Sequence, residues 1–322
     1  HRDLHSFPTR RSSDLAARQE TDAVLEEVRR LSPGDVAGYQ RYLKDSERRY
    51  WLGFEDMGRR PMHRLIDLIK VLPAFARLRA DWSIHKLVSR RVRDPRLRMA
   101  LSFHPLFIGG DPFHVTSMYA LVSHLEKSFG VHYAIGGVDA IARAMVGVIS
   151  EQGGQVRQGA EVDEILMQEG RAFGVTLKGG QVVKADIVVS NADAGHTYDY
   201  LLRKASKRRW TPPRLKRTRW SMGLFVWYFG TRGTEGMWPD VGHHTILNGP
   251  RYKGLVEDIF IKGKLADDMS LYIHRPSITD PSVAPDGGDT FYALSPVPHL
   301  GHENPVDWGQ MAETYRQKVQ AV

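Results

Sequence analysis

Residues 179–195, GGQVVKADIVVSNADAG, decide how this chain is read. The Gly179-Gly180 pair makes a turn, a polar approach follows, and Ile187 to Val189 reads as a buried strand opening into Ser190-Asn191-Ala192-Asp193. Asx residues just past a strand's carboxyl end lie where open α/β sheets place ligands, although they also serve as plain caps and turns. No G-x-G-x-x-G occurs among the 322 residues, so a nucleotide-type strand end stands here without its usual phosphate cradle.

Upstream of that strand, YAIGGVDAIARAMVGVISEQGG (133–154) sets Ile141, Ala144, Met145, Val148 and Ile149 on one helical face. Gly136-Gly137 precede the helix and Gly153-Gly154 follow it. A glycine pair before a helix lets a backbone approach an anion, because glycine has no Cβ and the helix N-terminus presents unpaired N–H groups; it is equally an ordinary turn. The next segment, 155–183, alternates at Phe173, Val175 and Leu177 and predicts a hairpin.

From Ala16 to about Ser128 the spacing is mostly helical, with Val36, Tyr39 and Tyr42 on one face, further runs at 65–72 and 78–101, and a loop at Gly109-Gly110. After about His196 a basic connector leads to strand-like SMGLFVWYFG (221–230), HHTILNG (243–249), MSLYIHRPS (269–277) and TFYALSPVPHL (290–300), which predict a second sheet. The division expected from the sequence is a helical portion at 16–130, a nucleotide-binding portion at 131–195, and a sheet with helices at 196–322.

Composition narrows the class. Hydrophobic residues at 42% and charged residues at 25% suit a packed globular protein, and the absence of cysteine excludes disulfides and thiolate chemistry. The longest apolar run, Gly223 to Phe229, falls short of the ~20 residues of a membrane-spanning helix. The net charge of +8 allows an anionic partner. Between Arg77 and Arg98 eight Lys or Arg interleave with Leu78, Trp82, Ile84, Leu87, Val88, Val92 and Leu97, a pattern that fits either a membrane surface or a solvated helical face over a core. No nucleic-acid-binding signature is present, and no nucleic-acid partner is expected.

Residues 5–15, HSFPTRRSSDL, resemble an in-frame translation of a sequencing-library adapter, so 1–15 are read as an artefact; removing three Arg and two Asp takes the charge from +8 to +7. The C-terminal WGQMAETYRQKVQAV also reads as a helix cut short. G-x-S-x-G, H-E-x-x-H and the Walker A loop are missing, and His243 and His244, taken as strand neighbours facing opposite sides, are not expected to share a metal.

Four long segments in order, 102–145, 185–198 (ADIVVSNADAGHTY), 249–260 (GPRYKGLVEDIF) and 267–301, resemble bacterial phytoene desaturases, a likeness that runs from about Ala16 to Val322. That family is similar in fold to the flavin-dependent amine oxidases. The resemblance implies a mixed α/β (α+β) architecture: a partial Rossmann-type FAD domain interleaved with a substrate domain of sheet and helices, the glycine fingerprint and closing segment lying outside this interior fragment. It further implies that Gly136 and Gly137 start an FAD-domain helix, that Val162 lies near the adenine, and that Asn191, Ala192 and Asp193 end a central strand. By the same resemblance Asp67 and Lys70, one helical turn apart, fall where an acid and a base stand near the flavin ring. Family members often carry Arg at the second place, and Lys lacks the planar fork; the alternative is an i,i+3 surface ion pair.

The function implied is repeated dehydrogenation of phytoene toward lycopene-type carotenes, with FAD accepting hydride. Burying each methylene from water is worth ~0.8 kcal/mol, which over such a hydrocarbon would exceed the affinity ceiling of about 18 to 21 kcal/mol. The substrate is therefore expected to come from lipid, and the protein to sit peripherally on the cytoplasmic side of a membrane. By itself the fragment is expected neither to hold FAD stably nor to catalyse. A carotenoid isomerase, an amine or porphyrinogen oxidase, and a non-catalytic lipid-binding protein are the alternatives.

Overall fold

Tyr42 is completely buried and ties the N-terminal helices together: its hydroxyl donates to the Leu101 carbonyl (3.1 Å) and meets Ser123 Oγ (2.8 Å). The structure is a computed structural model describing residues 9–11, 21–62, 64–205, 210–234, 236–239, 241–303 and 305–322. The adapter-like residues lie outside these except for Thr9–Arg11 (β1), which pairs antiparallel with β2. The chain divides into two units, one formed by 1–141 with 221–322 and the other by 142–220.

In the first unit α1 (Thr21–Leu31), α2 (Val36–Tyr50), α3 (Leu65–Leu78), α4 (Ile84–Ser89), α5 (Pro95–Ser102) and α6 (Leu121–Phe129) precede β2 (His132–Ala134) and the start of α7 (Gly137–Glu151). A π-helical turn, Trp51–Met57, continues α2. Side chains start the short helices: Ser83 Oγ accepts from Lys86 N (3.1 Å), and Asp94 accepts from Arg96 N (2.8 Å) and Leu97 N (3.3 Å), with Pro95 at the first helical position. The core these helices share contains Val28, Tyr39, Tyr42, Ile84, Leu87, Val88, Val92, Leu97 and Ala120.

That core corrects the membrane-facing reading of 77–98. Ile84, Leu87, Val88, Val92 and Leu97 are its interior, and the cations around them are engaged locally: Arg91 Nε bonds Asp45 (2.6 Å), Arg98 Nε bonds the Val92 carbonyl (2.9 Å), and Arg79, Lys86 and Arg90 lie over the Trp82 ring. The sequence showed an apolar stripe; α1 and α2 cover it. The segment is also pinned by Asp35, 3% exposed, whose carboxylate accepts from the backbone N–H groups of Arg93 (2.9 Å) and Asp94 (2.8 Å).

The second unit carries most of α7 and a three-stranded antiparallel sheet in the order β3 (Val162–Gln168), β4 (Arg171–Leu177), β5 (Val182–Lys184). The predicted hairpin is β3–β4, and Gly179 and Gly180, both at positive φ, make the β4–β5 turn. Gly174 sits where a Cβ would meet the Val183 carbonyl at 2.4 Å. Two short helices follow, α8 (Ala194–His196) and α9 (Pro212–Lys216).

The buried strand expected at Ile187–Val189 is not formed. These residues have no strand pairing, and Ile187 and Val189 are 79% and 88% exposed. A strand exists only through a neighbour's hydrogen-bond ladder, and every strand pair among the described residues is antiparallel and elsewhere. The predicted apolar face of α7 is likewise open, with Ile141, Met145, Val148 and Ile149 all exposed.

The remainder of the first unit is a four-stranded antiparallel sheet in the order β6 (Gly223–Arg232), β9 (Gly288–Val297), β8 (Leu271–His274), β7 (His244–Leu247), with α10 (Tyr252–Phe260) and the C-terminal α11 (Trp308–Ala321). Strand β9 alternates perfectly between buried and half-buried positions. One face of the sheet, with Leu271, Ala293 and Val297, packs with Tyr315 and Val319 of α11. The opposite face carries the site described next.

Candidate functional site

Period-two alternation puts Tyr228, Tyr292, Tyr272, His274 and His244 on the sheet face away from α11, because the register pairs Tyr228 with Tyr292, Tyr292 with His274, and His274 with His244. Tyr228 is 74% exposed, so this face is open at its β6 end. The rings form a chain: Tyr292 and His274 centroids are 4.6 Å apart, His274 and His243 4.7 Å, and His243 and Tyr133 of β2 4.6 Å. Phe107 meets Tyr272 edge-on at 5.8 Å.

Hydroxyls hold the imidazoles. Tyr272 Oη lies 2.5 Å from Nδ1 of His244 and 3.2 Å from Nδ1 of His274, and Thr279 Oγ1 lies 2.6 Å from Nδ1 of His243. Burial, reinforced by the neighbouring His243 and His244, lowers the His274 pKa to about 3, so its ring is neutral at physiological pH. Burial, followed by Tyr292, pushes the Tyr272 phenol well above its ordinary range. Tyr272 thus joins His244 and the neutral His274 through one hydroxyl.

The expectation that His243 and His244 point apart is overturned: their centroids are 4.4 Å apart. His243 precedes β7 and so escapes the strand's alternation, while Arg275 N donates to its carbonyl (2.9 Å) and holds it beside β8. Arg275 anchors this corner through a buried bidentate pair with Asp289 (3.0 and 2.7 Å), to which Ser277 Oγ adds a third bond (2.7 Å). Bonding to Arg275 holds the Asp289 carboxyl below its usual value despite burial.

The glycine pair has an anion, and it belongs to the chain itself. Gly136 and Gly137 take φ of +86° and +78°, and the Gly136 N–H donates to Asp280 Oδ2 (2.6 Å). Asp280 is fixed in turn by Ser282, whose N–H and hydroxyl donate to Oδ1 (3.1 and 2.6 Å). A carboxylate of the chain therefore occupies the Gly136 amide, one of those at which a phosphate would be received.

The other predicted residues are dispersed. Asp67 and Lys70 lie on α3; the Asp67 carboxylate accepts from Arg64 N (3.1 Å), and Lys70 is exposed. In the second unit Val162 begins β3, half-buried, while Asn191, Ala192 and Asp193 are exposed, with Asp193 capping α8 through His196 N (3.0 Å). Those four remain accessible to a nucleotide. Sequence reasoning missed the His–Tyr face and Asp280; the alternation at 271–274 was its only signal.

A second feature of the first unit is apolar. Gly53, Met57, Leu72, Phe75, Met118 and Leu121 line a cleft of about 740 Å³. Beside it α3 leaves Leu65, Ile66, Leu68, Ile69 and Leu72 exposed, joined by Trp51 and Phe54, with Arg59, Arg60, Arg64, Lys70 and Arg77 among them in the sequence. None of the described helices is long and apolar enough to cross a membrane.

The chain belongs to the flavin-containing amine oxidoreductase family, whose sequence pattern matches residues 13–281. It is 70% identical over 307 residues to the phytoene desaturase (neurosporene-forming) of Cereibacter sphaeroides, covering 95% of this chain and 59% of that protein. It is 63% identical to the protein of the same description from Rhodobacter capsulatus, covering 92% of this chain and 57% of that one. The chain thus spans somewhat under three-fifths of the length of these curated relatives. Among solved structures an oxidoreductase from Methanosarcina mazei superposes with a TM-score of 0.52 at 18% identity, covering 80% of this chain and 56% of that one, a likeness of fold.

Proposed function

We propose that this chain carries part of an FAD-dependent desaturase that converts phytoene to neurosporene. The observation that carries the reading is the 70% identity across 95% of the chain to a protein so described. Neurosporene replaces the lycopene-type product expected from the sequence because both of the relatives named above are described as forming it. Each dehydrogenation removes two hydrogens, and FAD, when bound, supplies the hydride acceptor. Among this chain's residues, Val162 and Asn191 to Asp193 are the candidates for holding the nucleotide. Residues 131–195 are assigned to the flavin portion, and 16–130 with 196–322 to the substrate portion.

A hydrocarbon offers no polar handle, so the chain's share is orientation and exclusion of water. The apolar cleft beside α3 and the ring-lined sheet face suit that task. We assign membrane docking to the exposed apolar face of α3, with Arg64, Lys70 and Arg77 meeting anionic headgroups at the cytoplasmic surface. Transfer of substrate from bilayer to apolar cleft is then nearly neutral in free energy.

The test is a chimera in which this chain replaces the matching 59% of the Cereibacter sphaeroides protein, given FAD and phytoene in bilayer vesicles. The expected result is a lengthened polyene chromophore matching neurosporene. Pigment with no more conjugation than phytoene overturns the desaturase reading, and flavin-free chimera overturns the cofactor.

A further inference from the structure

We propose that His243, His244 and His274 form a binding site for a divalent transition-metal ion of the zinc class. One potential ligand nitrogen from each of the three lies within 4.8 Å of the others. Tetrahedral coordination at Zn–N distances of about 2.0–2.1 Å places nitrogens roughly 3.4 Å apart. The widest pair must then close by about 1.4 Å, less than 1 Å for each ring, which rotation about the broad terminal torsion of histidine provides.

The surroundings resemble those of a built metal site. A ligating imidazole ordinarily holds a hydrogen bond on its other ring nitrogen, which fixes tautomer and orientation. Here each of the three rings has a hydroxyl at Nδ1, from Thr279 for His243 and from Tyr272 for His244 and His274, which assigns Nε2 of each ring to the ion. Two ligands come from paired strands, since His244 and His274 are direct cross-strand partners. The third is held by the Arg275 N–H on its carbonyl, and Arg275 is itself locked to Asp289. Supporting residues of that kind keep a constellation in place without the metal.

The donor set selects the ion. A donor set of three imidazoles with no carboxylate favours Zn²⁺, Cu²⁺ or Ni²⁺ over Mg²⁺ and Ca²⁺, which prefer oxygen. Bound there, the ion would clamp β7 to β8 and to the Thr279 loop, beside Tyr133 and the Asp280 contact to Gly136. None of this depends on flavin or on desaturation, so the site and the proposed function stand or fall separately.

The experiment titrates the 322-residue chain with Co²⁺, reading visible d–d absorption, then displaces it with Zn²⁺ and follows thermal unfolding. The expected result is one equivalent bound with a low-coordinate Co²⁺ spectrum, displaced by Zn²⁺, and a rise in Tm with added Zn²⁺. His244→Ala and His274→Ala are each expected to weaken Zn²⁺ binding at least tenfold, and Tyr272→Phe about tenfold through its outer bond. The control is His299→Ala, in the separate His299–His302 pair (centroids 4.2 Å apart), which should change nothing. Circular dichroism establishes that each variant is folded, and because His244 and His274 are only half-buried, at least one is expected to be. Absence of stoichiometric uptake by the wild type overturns the proposal. Undiminished affinity in a folded His244→Ala or His274→Ala variant, or loss of binding with His299→Ala, overturns it equally.

Discussion

Helix α3 and the segment 84–97 both offer the same elements to a reader of the sequence: an apolar stripe, flanking cations and few acids. The structure treats them oppositely. Ile84, Leu87, Val88, Val92 and Leu97 are interior residues, whereas Leu65, Ile66, Leu68, Ile69 and Leu72 face outward, Leu65 at 73% exposure. Amphipathic spacing reports which residues share a face, and only tertiary packing reports what covers it. The more basic of the two proved to be core, because its arginines found partners at Asp45, Asp94 and nearby carbonyls.

The sharpest way to break this contrast is to place a carboxylate in each. Val88 is fully buried among apolar side chains, so Val88→Asp leaves an unpaired buried charge and should cost about 4 kcal/mol or more. Leu68→Asp on α3 should stay within about 0.5 kcal/mol of wild type. Urea unfolding checks both; equal losses would mean that α3 is covered in solution.

Next in size is Asp35, the clamp on the buried segment. Burial works against its charge, but the backbone N–H groups of Asp94 and Arg93 and the Ser32 hydroxyl outweigh it and hold its carboxyl below the ordinary range. A carboxylate with a depressed pKa contributes stability that is present above its unfolded pKa of about 3.9 and is lost as pH falls through the lower folded value. Asp35→Ala should therefore cost roughly 2–3 kcal/mol near neutrality, with the gap to wild type narrowing as pH falls below about 4. Chemical denaturation between pH 3 and 7 reads it out, and a gap independent of pH would remove the carboxylate from the explanation.

These two regions also mark how far the sequence could be read. The strands at 223–232 and 288–297 were legible because alternation is written into neighbouring residues. Ile187–Val189 had the composition of a buried strand but could not supply its own ladder, and composition does not specify a partner. The histidine cluster was invisible for a different reason. His243 and His274 are 31 positions apart, and only the β7–β8 register and the break in alternation before β7 bring their rings together. Asp280 at the glycine pair joins residues 144 positions apart, which no local pattern encodes.

A smaller effect separates α3 from the core by function. Leu72→Asp puts a charge on the face assigned to the bilayer, and should weaken binding to anionic vesicles by about 2 kcal/mol, near thirtyfold, with little change in folding. Flotation with phosphatidylserine-containing vesicles measures it. Unchanged flotation would return the exposed face of α3 to the list of surfaces without a partner and leave the contrast with 84–97 as one of packing alone.

The smallest effect bears on Lys70, which has two assignments: beside a flavin ring with Asp67, by resemblance, or at the lipid surface, by its exposure on α3. A single lysine near an anionic surface contributes about 1 kcal/mol, and the contribution falls off within the Debye length. Lys70→Gln should accordingly lower vesicle binding about fivefold at low salt, and the difference from wild type should shrink as salt rises. Asp67 would not respond in the same way, because its carboxylate caps α3 at Arg64 N and its loss acts on helix stability. A Lys70→Gln chimera that retains full vesicle binding but loses kcat would instead place the ammonium at the reacting end of the substrate, and α3 would then be read as a wall of the active site.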